Sequence, residues 1–292
     1  MEIYALKYFL AVAQLESVNK AAVVLHITPG SLSKAISKLE EELGVNLFLK
    51  QGRNIKLTES GRLLQRRASA IVQLEEDTKI DVRGSKGSLR ITISASEILL
   101  KGFGMPVLSA LGKIVPAATF EFFVRSDENV VQQVSSGEAH LGLTTYDIPE
   151  ALDKKVIGMT EFKTCVGPGH PLYKHASKST SVHIKDLLQH GFAVPREDIL
   201  GKVNSDTSHD GWRDDKFPRK AVYKVASLSI VEELVMQGLA VAYLPNFLVE
   251  KMGARILEIE GCPYHCKQKV SVIGRSVKDI GWLKNFFSSA IS

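Results

Sequence analysis

Cysteine is scarce in this chain, with three in 292 residues. An odd, sparse set cannot build the disulfide framework of a small secreted domain and suits a reducing compartment. Long apolar runs are also missing. No stretch reaches 18 consecutive apolar residues, so no membrane-spanning helix is expected. The apolar YFLAVA near the start is too short for a signal core and lacks a basic flank and a cleavage site. These absences predict a cytoplasmic protein with no membrane partner. Catalytic signatures are absent as well. There is no Gly-x-Ser-x-Gly, P-loop, His-Glu-x-x-His or complete dinucleotide fingerprint. Gly102-Phe-Gly104 lacks the third glycine and falls inside a helical pattern, and His183, His190 and His209 are scattered. Neither an enzymatic activity nor a cofactor is expected. Cys262-Pro-Tyr-His265-Cys266 gathers three soft ligands, but no second ligand pair stands at zinc-site spacing, so no metal site is expected. The thiols read as structural, with a redox pair as the alternative.

What is present is a globular composition, 45% hydrophobic, long enough for two or three compact units. The net charge is only +5, but its placement is uneven. Through Arg67 ten basic residues face six acidic ones, which leaves +4 of the +5 there. A polyanion would be met by that end of the chain.

The stretch SVNKAAVVLHITPGSLSKAISKLEEELG, from residue 17, shows why. Val18, Ala21, Ala22 and Leu25 share one helical face, with Ser17 placed as N-cap. Leu32, Ile36, Leu39 and Leu43 form a second stripe that stops at Gly44. Between them Thr28-Pro29 ends one helix and starts the next, because proline keeps its predecessor out of the α region and is at ease at N1. Two short helices joined by so tight a turn cross steeply, so the second cannot bury all of its surface. Its outer face carries Gly30, Lys34, Ser37, Lys38 and Glu41, with Ser31 and Ser33 at the edges. Short hydroxyls allow close approach to a major groove, and lysines reach phosphates or guanine edges. The competing reading is an ordinary αα-hairpin with a solvated outer face. VNLFLKQGRNIKLTESG favours the former. It reads as a hairpin with Lys50, Arg53 and Lys56 around its turn, a basic wing beside the helix.

Over nearly its whole length the chain resembles the LysR-type transcriptional regulators. The resemblance rests on LKYFLAVAQLESVNKAA, on LHIT with SLSKAISKLEEELGVNLF, and on GRNIKLTESG. It implies a winged helix-turn-helix, a long linker helix, and a two-lobed α/β effector domain built like a periplasmic binding protein. Candidate DNA contacts are Thr28, Ser31, Ser33, Lys34, Ser37, Lys38, Arg53 and Lys56. Two departures concern base reading. The family usually has glutamine and proline where Pro29 and Gly30 stand, and often glutamine at Ala35. An amide can read adenine bidentately, and Pro29 and Ala35 cannot. A third departure, His140 in place of the usual aspartate, is expected to alter only a local turn.

The expected organisation is a DNA-binding domain at 1–58 with its helix-turn-helix at 18–37, a dimerisation helix at 59–83 and a hinge at 84–88. In the helix, Leu64, Ala68, Ile71, Leu74 and Thr78 suggest a narrow dimer seam; packing on its own domain is the alternative. The hinge reads GSKGS. Beyond it strands alternate with helices, which predicts a parallel sheet. One lobe should take 89–160 with 266–292, and the other 161–265. A cleft between such lobes binds small molecules beyond the strand ends. Its candidate residues are Ser94, Ser96, Arg125, Thr144, Thr145 and Ser227. Expected partners are double-stranded DNA with an imperfectly palindromic operator, a small effector with anionic character, and further copies of the chain as a homodimer or homotetramer. Residues 89–292 alone would read as a solute-binding protein, but the missing signal peptide and the winged start argue against that.

Overall fold

The computed structural model describes residues 1–51, 54–83, 89–177, 180–196, 208–275 and 281–291. Three helices open the chain, α1 (Ile3–Leu15), α2 (Val18–Val24) and α3 (Pro29–Leu43). They are followed by the wing strands β1 (Phe48–Gln51) and β2 (Asn54–Leu57), then the long α4 (Glu59–Arg83). The Ser17 hydroxyl accepts the Lys20 amide and caps α2, and Thr28 caps α3 by accepting from Ser31 N–H at 3.1 Å. Gly44, with φ +68°, ends α3 in the left-handed conformation that glycine adopts at no steric cost. Leu6, Phe9, Val12, Ala21, Ala22, Leu32, Ile36, Leu39 and Leu47 close one core, and Ala68 of α4 joins it.

α4 starts where Thr58 both accepts from Gly61 N–H (2.8 Å) and donates to Asn46 O (2.7 Å). The five expected seam positions do not share one environment. Leu64 and Ala68 pack on the α1 side, within the domain's own core, while Ile71, Leu74 and Thr78 are exposed. A strict four-residue step drifts around a helix of 3.6 residues per turn, so Leu64 and Ala68 leave the stripe. Leu63 takes their place among the exposed apolar residues. The expected hinge, 84–88, lies outside the described residues.

The effector part begins with β3 (Arg90–Ala95), then a continuous helical stretch of α5 (Glu97–Leu99), a π turn (Leu100–Gly104) and α6 (Met105–Ile114). Pro106 cannot donate to the carbonyl one turn back and crowds it. The wider π turn just ahead gives it room. β4 (Thr119–Val124), α7 (Asp127–Ser136) and β5 (Leu141–Thr144) complete the first βαβ run. At the head of β5, His140 Nδ1 accepts the Thr92 amide at 3.0 Å. The long β6 (Leu152–Val166) follows, then α8 (Tyr173–Ser177), β7 (Val182–His183), α9 (Ile184–Leu187), β8 (Gly191–Pro195) and β9 (Lys220–Val225). Next come α10 (Leu228–Met236), β10 (Ala242–Pro245), α11 (Asn246–Met252), the short β11 (Arg255–Ile256) and β12 (Ile259–Glu260), β13 (Lys267–Arg275) and α12 (Gly281–Ser288).

The sheet is mixed, which corrects the expectation of a parallel one. β3 pairs in parallel with β4 and β5, and β8 with β9. β13 runs antiparallel to both β5 and β6, and β10 antiparallel to β6. No helix follows β5, so the chain has no crossover with which to continue in parallel. β6 instead pairs with β13 up to Glu161 and with β10 from Phe162 onward. It leaves one group of strands and enters another. β13 makes the return passage, and Phe162 N–H donates to Cys266 O (2.9 Å) where the two long strands cross over. Two lobes thus hang on two strands. Among the described residues no helix is long and apolar enough to cross a membrane.

Candidate DNA-binding face and effector cleft

The outer face of α3 is built from its start. Thr28, Ser31, Ser33, Lys34, Ser37 and Lys38 are all exposed, as are Pro29 and Gly30. Thr28 and Ser31 share a hydroxyl–hydroxyl bond of 2.8 Å in addition to the cap, which fixes their side chains at the tip of the helix. The turn before them bends through His26 at φ +54°, a left-handed conformation unusual for a residue other than glycine. Lys56 is exposed on β2, and Ile55 N–H reaches Glu16 O at 3.4 Å, tying the wing to the end of α1. Glu40 holds the other side of the wing by accepting from Leu47 N–H (2.7 Å) and Phe48 N–H (3.2 Å). Arg53 lies outside the described residues. Ala35 is half-buried and lines a hollow of about 160 Å³ between α1 and α3, together with Met1, Tyr4 and Glu42. The short side chain leaves that hollow open.

The cleft between the lobes holds a cavity of about 210 Å³. Ser96, Glu97, Arg125 and Ser126 line it from one lobe, and Pro195, Ser227 and Leu228 from the other. Three helical starts meet there. Ser96 caps α5 by accepting from Leu99 N–H at 3.4 Å. Ser126 and Ser227 precede α7 and α10, yet neither hydroxyl caps its helix. α7 already carries Asp127 and Glu128 in its first turn, whereas the first turn of α10 has no acidic residue, so α10 keeps the positive end that favours anions. The Arg125 guanidinium donates to Val124 O (2.8 Å) and lies 5.5 Å from the centroid of the Phe123 ring.

Ser94, Thr144 and Thr145 do not line this cavity. Ser94 is fully buried and donates to Gln133 Oε1 at 2.7 Å. Thr144 is fully buried and accepts the Tyr146 amide at 2.9 Å. Thr145 donates to the buried Asp127 carboxylate through its amide (3.1 Å) and its hydroxyl (2.6 Å). The strand ends do reach one rim, as expected, but α7 takes the hydroxyls of Ser94 and Thr145, and the turn after β5 takes that of Thr144. Ser126 and Glu97 were missed; the signal for Ser126 was its position as the serine before Asp127-Glu128, an N-cap pattern.

The second lobe has its own charged anchor, which the sequence reading also missed. Arg219 is buried and bonds Asp210 (2.6 Å) and Asp214 (2.8 Å), with Trp212 and Phe192 beneath its guanidinium. Partial burial pushes the Asp214 carboxyl up, but bonds from Arg219 and Ser208 outweigh this and hold it below the usual carboxylate range. The three cysteines are free. Burial drives Cys165 to about 12 and Cys266 to about 11, so both thiols stay protonated near neutrality. Among the described residues no group of three His, Cys, Asp or Glu could hold a metal ion.

Residues 3–62 match the family described as bacterial regulatory helix-turn-helix protein, lysR family, and residues 84–273 match the LysR substrate binding domain. The chain belongs to the LysR-type transcriptional regulators: it is a DNA-binding regulator that carries an effector-binding domain. An uncharacterized HTH-type transcriptional regulator of Azotobacter vinelandii is 39% identical over 98 residues, 33% of this chain and 68% of that protein. The crystal structure of ArgP from Mycobacterium tuberculosis superposes with a TM-score of 0.69 at 17% identity, covering 97% of this chain and 94% of that one. Full-length LysG from Corynebacterium glutamicum, solved with its effector Arg bound, gives 0.65 at 18% identity over 98% and 96%. At such identities these two structures establish likeness of fold.

Proposed function

We propose that α3 enters a major groove, with Ser31, Ser33, Lys34, Ser37 and Lys38 toward base edges and phosphates and Thr28 fixing the helix tip. Lys56, with Arg53, holds the adjacent backbone. The observation that carries this reading is the unbroken exposed run of small hydroxyls and lysines on one face of α3, beside an exposed lysine on the wing. Residues 1–58 act as the reader, 59–83 as linker and 84–88 as hinge. The lobes 89–160 with 266–292, and 161–265, act as sensor. The regulator works in the cytoplasm as a homodimer or homotetramer on an imperfectly palindromic operator, since paired readers need paired half-sites. Leu63, Ile71 and Leu74, exposed along α4, supply the apolar face for a second copy.

The effector is a small anionic molecule in the cleft, held by the start of α10, by Ser96 and Ser227, and by Arg125. Ser94, Thr144 and Thr145 support the walls without touching it. The test of the DNA reading is a gel shift on the chain's own upstream region. Lys34→Ala should relax specificity at selected base pairs, by about 1–3 kcal/mol. Lys56→Ala should weaken all sequences alike and reduce the salt slope by about one. DNA binding unchanged by both substitutions would sink the assignment.

A further inference from the structure

The second lobe carries a larger cavity than the cleft, about 480 Å³ against about 210 Å³. Its floor is one face of the β8–β9 pair, and a single extra residue makes that face. Phe192 stands opposite Ala221 and Ala193 opposite Tyr223, which leaves Val222 as a bulge in β9. Without the bulge Ala221 and Lys224, three positions apart, would point to opposite sides of the strand. With it both stand on the side of Phe192 and Val194. Val225 faces the other way and lines the cleft. The two cavities therefore lie on opposite faces of one strand pair. They meet only at its carboxyl end, where Pro195 borders both.

The wall of the larger cavity is the Arg219 anchor. The Arg219 backbone amide, Nε and Nη2 donate to the Asp214 carboxylate at 3.1, 3.0 and 2.8 Å, and the Ser208 hydroxyl adds a fourth bond. A carboxylate has about four lone-pair sites, so Asp214 offers no acceptor to a ligand. Arg219 also bonds the buried Asp210 at 2.6 Å. The wall is charged, but its charges are matched within it.

The open charge stands at the rim. Arg196 follows β8 in the same alternation as Phe192 and Val194, and its amide donates to Val225 O at 2.9 Å, which sets it beside the end of β9. Arg196 and Lys224 are both exposed and both line the cavity. Among the described residues neither side chain has a hydrogen-bond or ion-pair partner. Pro218 and Ala221, also exposed in the cavity, supply apolar surface next to them. An arginine fork beside a lysine suits a doubly charged phosphate. The volume falls within the range of small-molecule pockets, roughly 300–1,000 Å³.

We infer that the second lobe holds a second small-molecule site, on the face of β8–β9 turned away from the cleft. Its ligand is an organic phosphate whose head meets Arg196 and Lys224 and whose apolar body lies on Val194, Pro218 and Ala221. The site gives the sensor a second input. It is built from the second lobe alone, so it stands or falls apart from the cleft reading.

The test is equilibrium dialysis of the full chain with radiolabelled phenyl phosphate, which counts molecules bound per chain. The parent should bind one here and one in the cleft. Arg196→Gln with Lys224→Gln should weaken one of the two at least about tenfold, as expected for lost bonds to a charged group. Ala221→Leu fills the floor and keeps both charges, so it should weaken phenyl phosphate and spare inorganic phosphate. Arg125→Gln should weaken only the other molecule. Lys174→Gln with Lys185→Gln removes the same charge from exposed positions of the same lobe and should change nothing. An unchanged Tm without ligand shows that each variant keeps its fold. Equal weakening by that control pair means diffuse attraction to basic surface and overturns the site. So does binding that survives both the rim pair and Ala221→Leu. A single molecule per chain that is lost with the rim pair supports this site and defeats the cleft. A single molecule lost only with Arg125→Gln does the reverse.

Discussion

Two regions of this chain place serine and threonine at helix starts, and they use those hydroxyls in opposite ways. At α3, Thr28 and Ser31 bond each other and the helix backbone, while Ser33 and Ser37 stay in solvent. At the cleft, Ser94, Thr144 and Thr145 are consumed by Gln133, Tyr146 and Asp127, Ser126 accepts from the Asn129 side chain at 2.8 Å, and Ser227 makes no capping bond at the rim. The difference follows from what covers each place. Among the described residues nothing packs over the outer face of α3, so polarity there costs nothing. α7 lies over the strand ends of the first lobe, and a buried hydroxyl without a partner is costly. A hydroxyl at a strand end is thus a ligand contact only where no helix has already claimed it.

The sharpest way to break this contrast is at Asp127. Its buried carboxylate takes two bonds from Thr145, one charge-assisted through the hydroxyl at 2.6 Å. Asp127→Ala strands both donors, and urea denaturation should show a loss of about 3 kcal/mol. A loss under about 0.5 kcal/mol would mean that Thr145 is free to serve a ligand after all. Ser94→Ala leaves only the Gln133 acceptor unpaired and should cost about 1–2 kcal/mol. The two losses would rank the internal bonds that the sequence alone assigned to ligand.

Acid acts on the second lobe through its buried His170. Burial, with His190 next to it, depresses His170 from 6.5 to about 4, so the folded state holds it neutral. The unfolded chain takes up that proton below about 6.5, so stability is full above that pH and is lost as pH falls toward 4. The loss should be on the order of 3 kcal/mol by pH 4, since one pKa unit is worth about 1.4 kcal/mol. His170→Asn can still accept the Leu172 amide, as Nδ1 does at 3.2 Å, and should flatten the dependence of Tm on pH between 6.5 and 4. If its profile parallels the parent's, the proton is taken up elsewhere.

How much could be read from residues alone follows the range of the interactions. The caps Ser17, Thr28 and Gly44 bond atoms three or four positions away, so the helix-turn-helix was legible in full. The strand and helix order of the first lobe was legible for the same reason. The sheet's mixed direction was not, because β13 slots between β5 and β6 from more than a hundred residues downstream. Nor was the Arg219 anchor, because nothing local marks the burial of Arg219 and Asp210. Of the cleft residues, Ser96, Arg125 and Ser227 line the cavity; the three that do not are those whose partners lie on α7 or in the turn after β5.

A smaller effect returns to the DNA-binding face. Thr28→Ala removes a cap and should cost about 1 kcal/mol of stability. Operator binding should fall with it, because the Ser31 hydroxyl loses its bonded neighbour at the tip of the helix. Thr28→Ser retains the acceptor and should restore both. A variant that loses stability yet binds the operator at parental affinity would reduce Thr28 to a purely structural cap.

The smallest expected effect is also the most informative about the cleft. Ser227 stands at the start of α10 and its hydroxyl makes no capping bond, so Ser227→Ala should change stability by less than about 0.5 kcal/mol, unlike an ordinary cap removal of about 1 kcal/mol. The exposed start of α10 still offers its amides, so the variant should keep a weakened anion site, while Arg125→Gln removes the nearby cation on the opposite lobe. Chloride and acetate serve as probes before the effector is known: raising either should lift the parent's Tm above what a matched change of ionic strength with a bulky anion does. The increment should shrink in Ser227→Ala and shrink further in Arg125→Gln. Should Ser227→Ala instead destabilise the chain like a lost cap, its hydroxyl belongs to α10. The two lobes would then treat their serines alike, since Ser126 already bonds Asn129 of its own helix, and the contrast between rim and interior would fail.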